Sequence, residues 1–360
     1  MTTIQWAEPA RQVLFEQWLT AIAGDQQLAT SSLQLASSDA SFRRYFRIQT
    51  TTGQSRIIMD APPEKEPLGP FMHVAQLLHE AGIPTPRLLQ SDVDNGFLLM
   101  DDLGQQTVLQ YLAPEYNTKE AYPLMLQSVD WLVQMQMRTR ADVPAYDHAV
   151  LMREMQLFPE WYLGRYRQAT LSDSQQQTLH KTFELIAANN LAAPQVFVHR
   201  DYMLRNLMVT PADAAGAAQI SGVLDFQDAL HGPITYDLAS LLRDAFHSWE
   251  EDFLLDIAVR YWEKARKAGL LASAPELEAD FGEFYRAVEW MGLQRHLKVA
   301  GIFARLTLRD GKAKYLEDTP RFLHYIRSTA SRYRELFPML RLIDALENTQ
   351  KTEAFSFGRL

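Results

Sequence analysis

The sequence predicts an α+β fold with two lobes, a small β-rich N-lobe and a larger, mainly helical C-lobe. Three observations predict it. Strand signals crowd residues 33–100, helical periodicity dominates from about residue 105 onward, and Val196–Val209 reads as a strand, a polar loop and a second strand set inside the helical part. The short acidic stretch Asp101-Asp-Leu-Gly104 interrupts the last N-terminal strand and is the natural connector, so the expected domains are 1–102 and 103–360.

Residues 9–23 read as an amphipathic helix with Val13, Leu14, Trp18, Leu19 and Ile22 on one face. Leu33-Gln-Leu35 alternates, and Ser37-Ser-Asp-Ala-Ser41 is turn chemistry. Phe42 to Thr50 is rich in aromatic and β-branched residues, Thr51-Thr-Gly-Gln54 reads as a hairpin turn, and Ser55 to Met59 resumes a strand. Together these make a small antiparallel meander. Pro62, Pro63 and Pro67 break the chain before a helix over 68–81 that Gly82 stops. Strand signals return at Leu88-Leu89 and Phe97–Met100. Helical periodicity follows at 120–138, 174–189, 236–247, 250–267 and 276–308, with a last helix or two in 320–348. Pro211 to Ala218 reads as a surface turn, and 351–360 carries no pattern.

At 360 residues and 47% hydrophobic, the chain has ample material for a large core and exceeds the usual single-domain size. It holds 35 Lys+Arg against 44 Asp+Glu, a net charge of −9. That balance argues against a general binder of nucleic acid or of anionic membranes. There are no cysteines, which excludes disulfides, thiolate metal sites and cysteine nucleophiles. The first residues, Met1-Thr-Thr-Ile-Gln-Trp6, lack a basic segment followed by an apolar run, and no apolar stretch approaches membrane-span length. The expected location is the cytoplasm, where ATP is available. The oligomeric state is left open.

The chemistry concentrates between residues 199 and 237. His199, Asp201 and Asn206 stand in the order H-x-D-x-x-x-x-N on the loop between two strands, and Asp225 closes the next hairpin. Phosphoryl transfer from a magnesium nucleotide needs this set: one carboxylate to receive or orient the acceptor hydroxyl, then an amide oxygen and a second carboxylate for the metal. Asp201 is the expected catalytic base. Asn206 and Asp225 are the expected Mg²⁺ ligands, since that ion prefers oxygen donors and keeps several waters. His199 is expected to orient the loop through hydrogen bonds. Asp237, at the start of a helix, either caps it or braces the loop. Asp228 touches metal or substrate, or only ends a turn. Arg205 meets a phosphate or substrate carboxylate, or forms a surface ion pair. The segment Ser38–Phe46 occupies the position of a phosphate-covering loop without glycine. There the backbone of Ala40, Ser41 and Phe42 and the charges of Arg43 and Arg44 are candidate phosphate contacts, beside the reading of a plain hairpin. Trp161, Tyr162, Trp290 and Arg295 lie on expected helices, as sugar-pocket or core residues.

The His199-Arg-Asp201 loop with Asn206, Asp225-Phe226 and Gly232…Asp237 resembles the aminoglycoside phosphotransferase and choline kinase superfamily, with its bilobal protein-kinase-like fold. Four segments look more narrowly like the anomeric N-acetylmuramate/N-acetylglucosamine kinases of Gram-negative cell-wall recycling. These are Asp39–Arg47, Met59–Pro63, Val223–Ala229 and Glu289–Lys298. The resemblance implies an N-terminal nucleotide-binding lobe and a C-terminal catalytic and substrate-binding lobe. It also implies ATP and Mg²⁺ as cofactors, a small-molecule sugar as partner, and phosphorylation of the sugar's C1 hydroxyl. Carried over by position, Asp201 is the base, Asn206 and Asp225 hold the metal, and Met100, Asp101 and Leu103 form the hinge that meets adenine through backbone atoms. The third strand, Arg56-Ile-Ile-Met-Asp60, departs from the protein-kinase pattern because it has no lysine. Arg56, Arg43 or Arg44 then takes the phosphate role. Aminoglycoside, choline and homoserine acceptors stay open, with Glu283, Glu289 and Asp310 as carboxylates for a polycation. A nucleotide-binding module without catalysis is the reading outside this class. Only eleven residues separate Asp225 from Asp237, too few for the activation segment of a protein kinase, which favours a small acceptor.

Overall fold

The computed structural model describes residues 4, 6, 8–38, 42–139, 142–213 and 216–347. The chain divides into two compact units. One is Met1–Leu124 with Arg205–Asp228, and the other is Met125–Leu204 with Ala229–Leu360. This is not a single division at 102/103. The chain leaves the second unit after Leu204, inside the polar loop, and returns at Ala229.

The first unit contains α1 (Pro9–Ala23), β1 (Leu28–Ser38), β2 (Arg44–Thr50), β3 (Ser55–Asp60), α2 (Leu68–Glu80), β4 (Leu88–Asp92), β5 (Phe97–Asp101), β6 (Gln106–Thr107), α3 (Val108–Leu112) and the start of α4 (Thr118–Arg138). Five strands form a sheet in the order β1-β2-β3-β5-β4, every neighbour antiparallel. The meander follows from short turns. Gly53 takes φ 84 at the β2–β3 turn, a conformation glycine adopts without a Cβ penalty. Along β2 burial alternates, with Phe46 and Ile48 fully buried, as period-2 side-chain placement requires.

α1 covers that face. Its buried residues are Phe15, Trp18, Leu19 and Ile22. The expected face is corrected here, because Val13 and Leu14 are 50% and 39% exposed and Phe15 takes their place. Positions 15, 18, 19 and 22 follow the i, i+3, i+4, i+7 spacing, which 13 and 14 do not share. Phe15 packs on Phe46 and Phe97 with ring centroids 5.1 and 5.5 Å apart.

Residues 205–228 join this unit by pairing. β8 (Leu207–Thr210) and β9 (Gln219–Val223) form a hairpin, and β6 adds to its edge. The Val223 N–H donates to the Pro84 carbonyl at 2.9 Å, and the Ser221 hydroxyl donates to the Leu103 carbonyl at 2.8 Å.

The second unit is mainly helical: the rest of α4, α5 (His148–Leu157), α6 (Asp173–Leu191), α7 (Thr235–Leu242), α8 (Glu251–Lys267), α9 (Pro275–Ala279), α10 (Phe281–Asp310), α11 (Thr319–Arg332) and α12 (Phe337–Leu346). Its two short strands, β7 (Gln195–Val198) and β10 (Leu230–Pro233), pair antiparallel with each other. The strand before the polar loop and the strand after it therefore belong to different sheets. The 30-residue α10 runs through the unit and packs on α5, α6, α7 and α11. A nine-residue π-helical stretch, Phe158–Tyr166, continues α5. α5 is not legible in the sequence, while the stretch coincides with the helix expected at Trp161 and Tyr162, though not with its π-helical winding. Among the described residues no helix is long and apolar enough to cross a membrane.

Candidate active site

β7 delivers the polar loop in the second unit. Its residues Val196 to Val198 are buried, and Val198 pairs with Leu230, which anchors the loop's start. His199 is fully buried. The Asp201 N–H donates to His199 Nδ1 at 3.3 Å, which ties the imidazole to the loop backbone. The fully buried Asp237 accepts the His199 N–H at 2.6 Å on one oxygen and the Arg200 N–H at 2.9 Å on the other. It therefore braces the loop. It makes no cap, since the residue preceding α7 is Ile234 and has no side-chain cap bond. Burial pushes the Asp237 carboxyl up to about 7, while the two N–H bonds and the nearby Arg295 pull the other way. The Tyr202 hydroxyl donates to the Ser128 carbonyl at 2.8 Å, and the Leu204 N–H donates to Asp244 at 3.3 Å. Asp201 is left half-buried on a loop fixed on both sides.

In the first unit, the β8–β9 hairpin brings Asn206 and Asp225 to one end. Leu207 pairs with Val223, and the Leu224 N–H donates to the Asn206 carbonyl at 2.8 Å. Asp225 sits at φ 63, a left-handed conformation that aspartate tolerates better than most residues. The Gln227 amide donates to Asp225 at 3.0 Å and to Asp228 at 3.4 Å, tying the two carboxylates together. Phe226 is fully buried and packs on Phe71 of α2 at 4.8 Å. Arg205 is half-buried. Among the described residues no group of three or more His, Cys, Asp or Glu could hold a metal unaided. One amide oxygen and one carboxylate at the same end of the hairpin are donors of the kind a hard divalent ion takes, with its remaining ligands from water and phosphate.

The other candidates fall as follows. Ala40 and Ser41 lie outside the described residues. Phe42 is 60% exposed, with its N–H donating to Glu66 at 3.3 Å. Arg43 pairs with Glu66 at 2.7 Å. Arg44 pairs with the fully buried Asp60 at 2.5 Å, and Arg11 holds the other Asp60 oxygen at 2.6 Å. The third strand thus ends in a carboxylate held by two arginines. Arg56 bonds to its neighbours Gln54 and Ser55. Met100 is buried in β5, Asp101 accepts the Arg87 N–H at 2.6 Å, and Leu103 gives its carbonyl to Ser221. Asp102 ties this connector to the sheet. Burial opposes its ionisation, but hydrogen bonds from Arg47, Ser55 and the Gly104 N–H outweigh that and hold it below the usual carboxylate range. Trp290 is buried, edge-on to Tyr333 at 5.7 Å. Arg295 is buried and donates to the Arg200 carbonyl at 2.8 Å. Sequence reasoning missed Asp244 and Glu154, which contact the loop from 40 and 46 residues away, and Lys298, which contacts Glu154 and Tyr236.

Residues 32–275 match the model of the "Phosphotransferase enzyme family". The chain is 45% identical over 349 residues to an N-acetylmuramate/N-acetylglucosamine kinase of Neisseria meningitidis serogroup B, covering 96% of this chain and 99% of that one. It is 47% identical over 312 residues to an N-acetylmuramate/N-acetylglucosamine kinase of Pseudomonas aeruginosa, covering 86% and 87% of the two chains. Among solved structures, the choline kinase LicA from Streptococcus pneumoniae superposes with a TM-score of 0.59 at 11% identity, over 88% of this chain and 99% of that one. The aminoglycoside phosphotransferase APH(2'')-Ib gives 0.57 at 16% identity, over 87% and 97%. These two likenesses establish the bilobal kinase-like fold. The family match spans more than half of the chain and the two kinases match nearly all of it, so this chain belongs to the phosphotransferase enzyme family.

Proposed function

We propose that the chain transfers the γ-phosphoryl group of ATP to the anomeric C1 hydroxyl of N-acetylmuramate and N-acetylglucosamine. The observation that carries this reading is 45% identity over 96% of the chain to a kinase named for those two sugars. The loop supports it: Asp201, Asn206 and Asp225 supply a base and two oxygen ligands of the kind this transfer requires. The proposed place of action is the cytoplasm.

Asp201 accepts a hydrogen bond from the C1 hydroxyl and takes its proton as the new O–P bond forms and the bond to the β-phosphate oxygen breaks, releasing ADP. His199 and Asp237 keep that carboxylate aimed. Asn206 and Asp225 would hold Mg²⁺, which when bound would neutralise charge on the nucleotide phosphates. Backbone atoms of Met100, Asp101 and Leu103 meet the adenine. Ala40 to Phe42, Arg43 and Arg44 contact the phosphates. The aminoglycoside reading is weakened by the partners of its candidate carboxylates. Glu289 pairs with Arg332 and Tyr333, and Asp310 pairs with Arg309 at 2.7 Å.

The test is ADP release from ATP and Mg²⁺ with N-acetylmuramate, N-acetylglucosamine, kanamycin, choline or water as acceptor. Turnover with the two N-acetyl sugars supports the reading. Turnover confined to kanamycin or choline overturns the acceptor, and turnover at the rate with water overturns the sugar kinase.

A further inference from the structure

Arg200 precedes the candidate base and has φ 77. A long side chain in that left-handed region is disfavoured and persists only where its surroundings fix it. The backbone angles at 200 set where the next residue's side chain points, so whatever fixes 200 aims Asp201.

Residue 200 is held at three points in the second unit. Its N–H goes to Asp237, as described. Its carbonyl accepts Arg295 Nη1 at 2.8 Å. Its guanidinium pairs with Glu154 of α5. Glu154 is itself buried and held by three further groups. Lys298 Nζ lies 3.0 Å from one of its oxygens, while Gln294 Nε2, at 3.0 Å, and the Tyr146 hydroxyl donate to the other. Lys298 also donates to the Tyr236 hydroxyl at 3.0 Å, and the Arg295 guanidinium lies over the Tyr236 ring at 4.7 Å. Gln294, Arg295 and Lys298 come from consecutive turns of α10, so one helix carries three of the groups. Buried ion networks are a poor way to gain stability, since apolar packing of similar volume often does as well. A network that ends on a strained backbone residue beside the base has a positional use.

We propose that Glu154, Lys298 and Arg295 are positioning residues: they clamp Arg200 in its left-handed conformation and so set the aim of Asp201. This deepens the kinase reading and rests on it for the role of Asp201, while the clamp itself is a property of the loop.

The experiment compares Glu154→Gln in the parent chain and in an Arg200→Gly background, where glycine takes the left-handed angle freely and has no guanidinium to anchor. The expected result in the parent is a kcat at least tenfold lower, with KM for ATP and for the sugar within twofold. In the Arg200→Gly background the same change lowers kcat by less than twofold. Equal losses in both backgrounds, or a change confined to KM, overturn the clamp. Hydrogen exchange of the substrate-free protein gives a second reading. Glu154→Gln speeds exchange of the His199 and Arg200 amides at least tenfold and leaves α10 amides at the parent rate, and unchanged exchange at 199 and 200 overturns the proposal. A parent chain that turns over no acceptor would fail the kinase reading alone, because the exchange measurement still decides the clamp. Should Glu154→Gln not fold, Arg295→Lys and Arg295→Met replace it. Lysine keeps a donor for the Arg200 carbonyl and retains slow exchange at 199 and 200, and methionine, which has no donor, loses it. Equal exchange in the two variants overturns the proposal.

Discussion

At residue 201 the chemistry asks little basicity of the side chain and much of its placement, since a hydroxyl proton need only be accepted as the bond to phosphorus forms. Asp201→Asn keeps the shape and removes the charge. We expect kcat to fall by about 10³-fold while ATP affinity changes by less than about threefold, the sum of lost base and lost orientation. Steady-state ADP release and ATP titration check this, and near-parental activity would remove Asp201 from its role. Asp201, Asn206 and Asp225 stand out as candidates in the sequence because their spacing within one loop and the next hairpin is local. Asp237 was legible as a loop brace or a cap, and the two N–H bonds it accepts select the brace. Glu154, Lys298 and Asp244 were not legible. Asp244 and Glu154 reach the loop from a distant turn and helix, and Lys298 acts one step removed, through Glu154 and Tyr236. Arg44 was legible as a positive charge but not as the partner of Asp60, because a cross-strand ion pair leaves no periodic trace.

Among the elements, α10 shows how one helix sets the geometry of another. Gly301 meets α5 so closely that a Cβ there would lie 2.4 Å from the backbone carbon and oxygen of Leu157. Alanine is the better helix former by up to about 1 kcal/mol, so propensity alone favours Gly301→Ala. The clash with backbone wins, because backbone cannot rotate away as a side chain can. We expect Gly301→Ala to destabilise by about 1–3 kcal/mol, seen as a lower Tm in thermal unfolding. A Tm equal to or above the parent's would show that the two helices can separate at no cost. Long periodic elements were read well: α1, α2, α4, α6 and α8 lie within two residues of the expected ranges. The exceptions are α7, which ends at Leu242 and not at 247, the expected helix 276–308, which Asp280 divides into α9 and α10, and the segment 148–166. There Pro159 reads as a breaker but stands second in the π-helical stretch Phe158–Tyr166, at its junction with α5.

Over the whole molecule, the acidic connector suggests one boundary, and the folded chain instead sends residues 205–228 back to the first unit. The reason is pairing across more than 100 residues, β6 with β8 and Pro84 with Val223, which composition cannot reveal. Stability also has a molecule-wide dependence on acid. Burial disfavours the Glu154 carboxylate, but Lys298 and Arg200 outweigh that and hold it down to about 2 from 4.5. Burial, with Arg243 and Arg295 adding, pushes His296 down to about 3 from 6.5. In both cases the unfolded chain binds the proton more readily, so stability is present above the unfolded value and lost as pH falls towards the folded one. Asp237 has the opposite sign, but its window lies between 3.8 and about 7. Below pH 4 the first two groups therefore dominate. The Glu154 shift alone corresponds to about 3 kcal/mol. Urea midpoints should fall steeply between pH 4.5 and 3, and less steeply in Glu154→Gln. A parallel fall in both proteins would assign acid sensitivity to other groups. The most direct test of the central claim is product formation with N-acetylglucosamine and with its 1-O-methyl glycosides, followed by phosphorus NMR. Transfer to the anomeric hydroxyl predicts an acid-labile sugar 1-phosphate from the free sugar and no product from either glycoside. A phosphorylated methyl glycoside would place the reaction at another hydroxyl and contradict the account.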